Sequence, residues 1–326
     1  MRAMRIASAA LAVCLVAAAC GGKQTNNAES QASDSCEATS GRITIATGNT
    51  GGVYYTLGGG LAQLISDNTS LKASAAETGA SVQNIQQLVA GDYDIAFALA
   101  DTAADAVNGK ESFDGKPQDI AALARIYPNY TQVVVRADSG INSVADMKGK
   151  RISTGSPKSG TEVIANRLLK AAGLAEADVA AQRLALRPTV DQMKAGQIDG
   201  LFWSGGLPTP ELTDLTTSMG EDVKFIDIMD LFDDLKKINQ VYEEGSLPAE
   251  TYGLPADIPT IVVPNLLLVT KDFPAGNACA ITKLIFDKKD ELAKVHKAAN
   301  AIDRETAVET DPVELHPGAA QALGVD

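Results

Sequence analysis

Arg42-Ile-Thr-Ile-Ala-Thr-Gly-Asn-Thr-Gly-Gly-Val-Tyr-Tyr-Thr-Leu57 decides the fold class. β-Branched residues over 42–47 predict a strand, Gly48 to Gly52 a turn, and Val53, Leu57, Leu61 and Leu64 recur along one helical face. Thr78-Gly-Ala-Ser81 then leads into Val82, Ile85, Leu88 and Val89, a second helical face ended by Gly91, and Asp94 to Leu99 predicts a buried strand. The expected order is strand, helix, helix, strand. Further strands are expected at Gln132–Arg136, Arg151–Thr154, Leu184–Leu186, Gly200–Trp203 and Ile261–Val269, with helices at Thr161–Ala172 and Thr189–Ala195. Such alternation implies an α/β fold with mostly parallel strand pairing.

The 326 residues suggest about two domains. Stretches near Thr131–Asp138 and Asp257–Thr270 are the expected crossings between them, so that 42–134 plus 265–326 form one lobe and 135–264 the other. Two crossing strands suit a cleft that closes on a ligand. With 28 Lys plus Arg against 41 Asp plus Glu, the net charge of −13 repels polyanions, and nucleic acid is not an expected partner. Only His296 and His316 occur, without metal-ligand spacing, so no metal site is expected. G-x-S-x-G, G-x-G-x-x-G and the P-loop pattern are absent, and no hydrolase chemistry or nucleotide cofactor is expected.

Arg2 and Arg5 precede an uncharged run from Ile6 to Ala19 of signal-peptide length. Val16-Ala-Ala-Ala-Cys20 resembles a bacterial lipoprotein box, with Ala17 where Leu is usual. The expectation is a signal peptide over 1–19, a lipid on Cys20 anchoring the chain outside the cytoplasm, and a flexible tether over 20–41, where large apolar residues are scarce. Cys36 and Cys279 then remain as an even pair in an oxidising compartment. They are expected to bond, two free thiols being the alternative.

Gly and hydroxyl turns at three helix starts, Thr47–Gly52, Thr78–Ser81 and Ser156–Thr161, expose N–H groups suited to an anion. Tyr54, Tyr55 and Trp203 are candidate lining aromatics or half-buried core. Ile43 to Gly58, Thr78-Gly-Ala-Ser-Val-Gln-Asn84, Asp94-Ile-Ala-Phe97 with Asp101, Ile126-Tyr-Pro128, Ser143 to Ile152, Gly155-Ser-Pro-Lys-Ser-Gly-Thr161, Gly196 to Phe202, Pro264-Asn-Leu-Leu267 and His316-Pro-Gly-Ala319 follow one another in a known order. Together they resemble the TAXI family of TRAP-transporter solute-binding proteins over nearly everything from Arg42 onward.

The resemblance implies a two-lobed periplasmic-binding-protein fold, type II-like, with two mixed sheets flanked by helices and joined by hinge strands. It implies no catalytic step and no cofactor. The expected partners are a small carboxylated solute, glutamate, glutamine or a dicarboxylate, and a TRAP-type membrane permease; a lipoprotein sensor docking on a receptor is the alternative. With the three turns it nominates Thr47, Gly48, Asn49, Gly52, Tyr54, Tyr55, Ser81, Asp101, Tyr127, Lys158, Ser159, Gly160, Thr161 and Trp203 as ligand contacts. The chain departs from the family where Ala80 and Lys158 replace usual glycines, and where Leu99 and Ala100 replace polar residues; Lys158 either adds a charge contact to a ligand carboxylate or points into solvent.

Overall fold

The computed structural model describes residues 36–325; the expected signal peptide, Cys20 and most of the tether lie outside them. Ten strands, β1 (Gly41–Ala46), β2 (Leu71–Ala76), β3 (Ile95–Leu99), β4 (Ile120–Arg136), β5 (Arg151–Ser153), β6 (Ala180–Gln182), β7 (Gly200–Gly205), β8 (Val223–Phe225), β9 (Glu243–Leu247) and β10 (Ile258–Thr270), join in one hydrogen-bonded network. Its order is β2-β1-β3-β10-β4-β7-β5-β6, with β8 on β4 and β9 on β10. The helices are α1 (Val53–Asn68), α2 (Ser81–Ala90), α3 (Ala100–Val107), α4 (Gly160–Ala171), α5 (Leu186–Lys194), α6 (Pro210–Met219), α7 (Phe232–Ile238), α8 (Ala275–Asp287), α9 (Lys289–Val295) and α10 (Pro317–Leu323).

Pairing is parallel at both ends of this order, β1 with β2 and β3, β5 with β6 and β7. It is antiparallel in the middle, where β4 and β10 run against each other. These two strands are long because each serves both groups. The latter part of β10 pairs with β3 and its start with β9, whereas β4 leaves β10 at Tyr130 and continues against β7 and β8. Pro264 faces Pro128 in the register, and the pairing slips between Pro264 and Leu266. Neither proline has an N–H to give, so the ladder is weakest where the two groups meet.

Apolar patterning explains which faces are covered. β3, Ile-Ala-Phe-Ala-Leu, is buried throughout because it is flanked by strands and covered on both sides. Leu57, Leu61 and Ile65 of α1 pack with Phe97, Leu123, Leu267, Ile281 and Ile285 on one face. Ile85, Leu88, Ala103, Ile164, Leu168 and Leu235 fill a second cluster on the other, and Leu186, Val190, Met193, Leu212 and Leu215 a third.

Three expectations need correction. Pairing is not mostly parallel, because β10 runs antiparallel to β3, β4 and β9, and β4 to β7 and β8. A strand, β2, lies between the first two helices, and its Leu-Lys-Ala-Ser-Ala-Ala composition has no β-branched residue to mark it. Its place comes from six residues in parallel register with β1. Leu184–Leu186 is not a strand: β6 lies earlier, and Leu186 begins α5 and packs against Val190 and Met193. Pro188 is tolerated there because first-turn N–H groups lack intrahelical partners.

The described end of the expected tether is packed. Thr39 donates from N and Oγ1 to Asn277 Oδ1 on α8, at 2.8 and 3.1 Å. Cys36 and Cys279, Cα atoms 5.0 Å apart, form a disulfide that ties this segment to the same helix.

Candidate functional site

Three loops at helix starts and the end of β7 surround one cavity of about 30 Å³. The lining comes from Asn49 and Gly52 before α1, Ala80 and Ser81 at α2, Ser159 to Thr161 at α4, and Trp203 to Gly206. Tyr127 and Asn129 of β4 also line it, at the junction of the two strand groups. The wall is drawn tight by glycines. A Cβ on Gly160 would lie 2.5 Å from Leu99 Cδ1 and 2.8 Å from Ser81 Oγ, and one on Gly205 would lie 2.2 Å from the Trp203 indole nitrogen. Only a bare backbone fits at either place.

The starts of α1, α2 and α4 converge here, and the first N–H groups of each have no partner within their helix. Ser159 Oγ accepts from Glu162 N at 3.0 Å and so caps α4. Gly52 and Ala80 offer α1 and α2 no side-chain cap. Three partial positive charges therefore face one small space.

Side chains around this space are held by each other. Tyr54 donates to Asn265 Oδ1, Asn265 Nδ2 donates to Tyr127 O and Asn129 Oδ1, and Asn129 Nδ2 donates to Ser204 O. That chain crosses α1, β10, β4 and β7. Thr161 Oγ1 accepts from Ser204 N at 3.2 Å, and Trp203 Nε1 donates to Thr209 Oγ1 at 3.0 Å. Two hydroxyls are left over: Tyr127 Oη and Ser204 Oγ are buried with no hydrogen-bond partner. A buried hydroxyl without a partner is costly, and both residues line the cavity. Burial raises the Tyr127 pKa well above its ordinary value, so its hydroxyl stays protonated.

Of the nominated residues, Gly48, Asn49, Gly52, Tyr54, Ser81, Tyr127, Ser159, Gly160, Thr161 and Trp203 are brought together around the cavity. Four are placed elsewhere. Thr47 is fully buried, its Oγ1 donating to Ala76 O at 2.6 Å. Tyr55 faces outward from α1. Asp101 is enclosed beside Arg167 and Tyr242, accepting from Nη1 at 3.1 Å and from the phenol at 2.7 Å. Lys158 turns its Nζ to Gln86 Oε1 at 3.0 Å, on the outside of the loop. Its backbone sits at φ 61°, the left-handed region, which directs the side chain away and explains a usual glycine there.

Sequence reading did not nominate Asn129, Leu99, Ser204, Gly205 or Gly206. Ser204-Gly-Gly206 had a visible signal, a small-residue turn directly after a strand, the position where open α/β sheets expose ligand contacts. Asn129 had none, because its neighbours in β4 read only as a strand. Among the described residues no group of His, Cys, Asp and Glu is arranged to hold a metal ion, and no helix is long and apolar enough to cross a membrane.

The same fold is seen in PhnD1 from Prochlorococcus marinus (MIT 9301), solved with methylphosphonate, at TM-score 0.54 and 11% identity over 80% of this chain and 90% of that one. A binding protein component of an ABC phosphonate transporter from Pseudomonas aeruginosa superimposes with TM-score 0.54 and 12% identity, covering 81% and 80%. A protein from Bordetella bronchiseptica RB50 gives 0.52 and 21%, covering 87% and 88%. The architecture is the α/β, type II-like fold of periplasmic binding proteins. Residues 45–323, from the first strand through the last helix, match the NMT1-like family, and the chain belongs to it.

Proposed function

We propose that the chain is the extracytoplasmic solute-binding protein of a TRAP-type transporter, of the TAXI kind, anchored by lipid on Cys20. It captures a small carboxylated solute in a cleft between two lobes, 42–134 with 265–326 and 135–264, and delivers it to a membrane permease. The observation that carries this reading is the cavity itself: three helix N-termini border one small space, and two of its lining residues, Tyr127 and Ser204, carry buried hydroxyls without a partner. Its position supports a cleft, since the chain passes between the two strand groups along β4 and β10 and the lining residues come from both groups.

A thermal-shift screen of small carboxylates tests the proposal. A solute at 100 times its dissociation constant stabilises the native state by about 2.7 kcal/mol, and Ser204→Ala is expected to reduce the shift. If no small carboxylate raises Tm, carboxylate capture by this chain is overturned.

A further inference from the structure

The cavity is lined without a charged side chain. None of its lining residues is Asp, Glu, Lys, Arg or His. The two side-chain amide oxygens in the lining are already taken: Asn49 Oδ1 accepts from Ser156 Oγ at 2.7 Å and Leu186 N at 3.4 Å, and Asn129 Oδ1 accepts from Asn265 Nδ2 at 2.8 Å. Carboxylates outside the lining are committed or turned elsewhere. Asp101 serves Arg167, Tyr242 and Thr102 N, and Glu162 serves Arg183 and Lys158 N; Glu211 lies against Gly51, outside the lining, with Oε2 buried and unpartnered.

An ammonium brought into this space would bury three N–H donors against three helix N-termini that carry the same sign of partial charge. A carboxylate meets the opposite situation. Once it occupies the helix starts, the remaining lining residues include Leu99, Val53, Asn129, the aromatic rings and Ser204 to Gly206. That surface accepts a neutral oxygen and offers no cation to a second carboxylate. The size bears on ligand length alone, because about 30 Å³ corresponds to roughly two or three water positions and so to a ligand of few heavy atoms.

We infer that the cleft selects a small monocarboxylate carrying a second, neutral oxygen, a 2-hydroxy or 2-oxo acid, over the amino acid and the dicarboxylate of similar length. The inference rests on the solute-binding reading and names its substrate class. The helix starts hold the carboxylate, and Tyr127 Oη and Ser204 Oγ donate to the second oxygen.

Calorimetric titration of the purified chain with lactate, pyruvate, propionate, alanine and succinate tests it. Lactate or pyruvate is expected to bind at least about tenfold more tightly than alanine or succinate, as unpaired buried polar groups penalise the wrong ligand. Tyr127→Phe, which keeps the ring, is expected to lower the preference for lactate or pyruvate over propionate by about tenfold, the loss of one buried hydrogen bond. Alanine or succinate binding as tightly as lactate and pyruvate overturns the selectivity and leaves carboxylate capture standing. An unchanged preference in Tyr127→Phe overturns the assignment of that hydroxyl. Failure of all five solutes, together with a flat thermal-shift screen, overturns the parent reading as well.

Discussion

Among the described residues, Ala80, Glu111, Asp114 and Lys158 hold positive-φ conformations that a side chain opposes, and two of them bear on the site. Ala80 sits at φ 81° and ψ −151° and Lys158 at φ 61°, the two places where glycine is usual in the resemblance read from the sequence. The geometry accounts for glycine at both, since a Cβ is disfavoured in these regions, the first of them nearly exclusive to glycine. Ala80 is the more telling because it precedes α2 and lines the cavity. Its strain is expected to be relieved in Ala80→Gly, with a gain of about 1 kcal/mol and roughly 2 °C in Tm after the added chain entropy of glycine. Thermal melts check it, and a lower Tm would show that contacts of the Ala80 methyl outweigh the strain. At this scale the glycine and hydroxyl turns were legible because their chemistry is local. For Lys158 the sequence left ligand and solvent both open, and its outward turn follows from a φ angle imposed by the loop, where Lys158 O accepts from Gln83 N at 3.1 Å.

Among elements, α3 and α4 are joined by a buried ionic cluster. Arg167 of α4 donates to Asp101 Oδ2 and, at 2.6 Å, to Asp105 Oδ2 on α3, and its Nη1 also reaches the Tyr242 hydroxyl at 2.9 Å. Two carboxylates thus share one guanidinium. Burial, opposed by Arg167 and reinforced by the charge of Asp101, pushes the Asp105 carboxyl up to about 6. The folded protein therefore holds a proton that the unfolded chain, with an ordinary value of about 3.9, has already lost. The resulting stabilisation is full below about pH 4 and is lost as pH rises through about 6. Asp105→Asn, neutral throughout, is expected to remove this fall from a series of Tm values taken across that range. Parallel curves for the two proteins would exclude Asp105 as its source. None of this cluster was legible, because Asp101 and Arg167 are 66 residues apart and meet only when the two helices pack. β2 was hidden for a related reason: its register with β1 compensates for a weak strand composition. β1, β3, α1, α2, α4 and β7 were legible, because apolar period and turn residues agreed within each segment.

Over the whole molecule, the two strand groups touch through loops on either side of the cavity. Ser156 Oγ donates to Asn49 Oδ1 at 2.7 Å, Gln83 N donates to Lys158 O at 3.1 Å, and His296 Nε2 donates to Pro208 O at 3.0 Å. His296 takes this role as a neutral ring, since its Nδ1 accepts from Ala298 N and burial lowers its pKa. Each contact joins residues from the two lobes assigned in the proposed function, so each would be broken when the lobes part about β4 and β10. A ligand that needs both sides binds only the fraction of molecules with the lobes together, and its apparent affinity scales with that fraction. Removing one neutral hydrogen bond of about 1 kcal/mol from the joined arrangement is therefore expected to weaken binding by at most about fivefold. Ser156→Ala is the cleanest variant, because its hydroxyl joins the loops without lining the cavity. Small-angle scattering should then show a larger radius of gyration for Ser156→Ala than for the unaltered chain without ligand, and the same compact radius for both at saturation. Identical radii without ligand, combined with unaltered affinity, would mean that the Ser156 bond does not bias closure, and that the contacts left intact, Gln83 to Lys158, His296 to Pro208 and the buried cluster between α3 and α4, suffice to hold the lobes together.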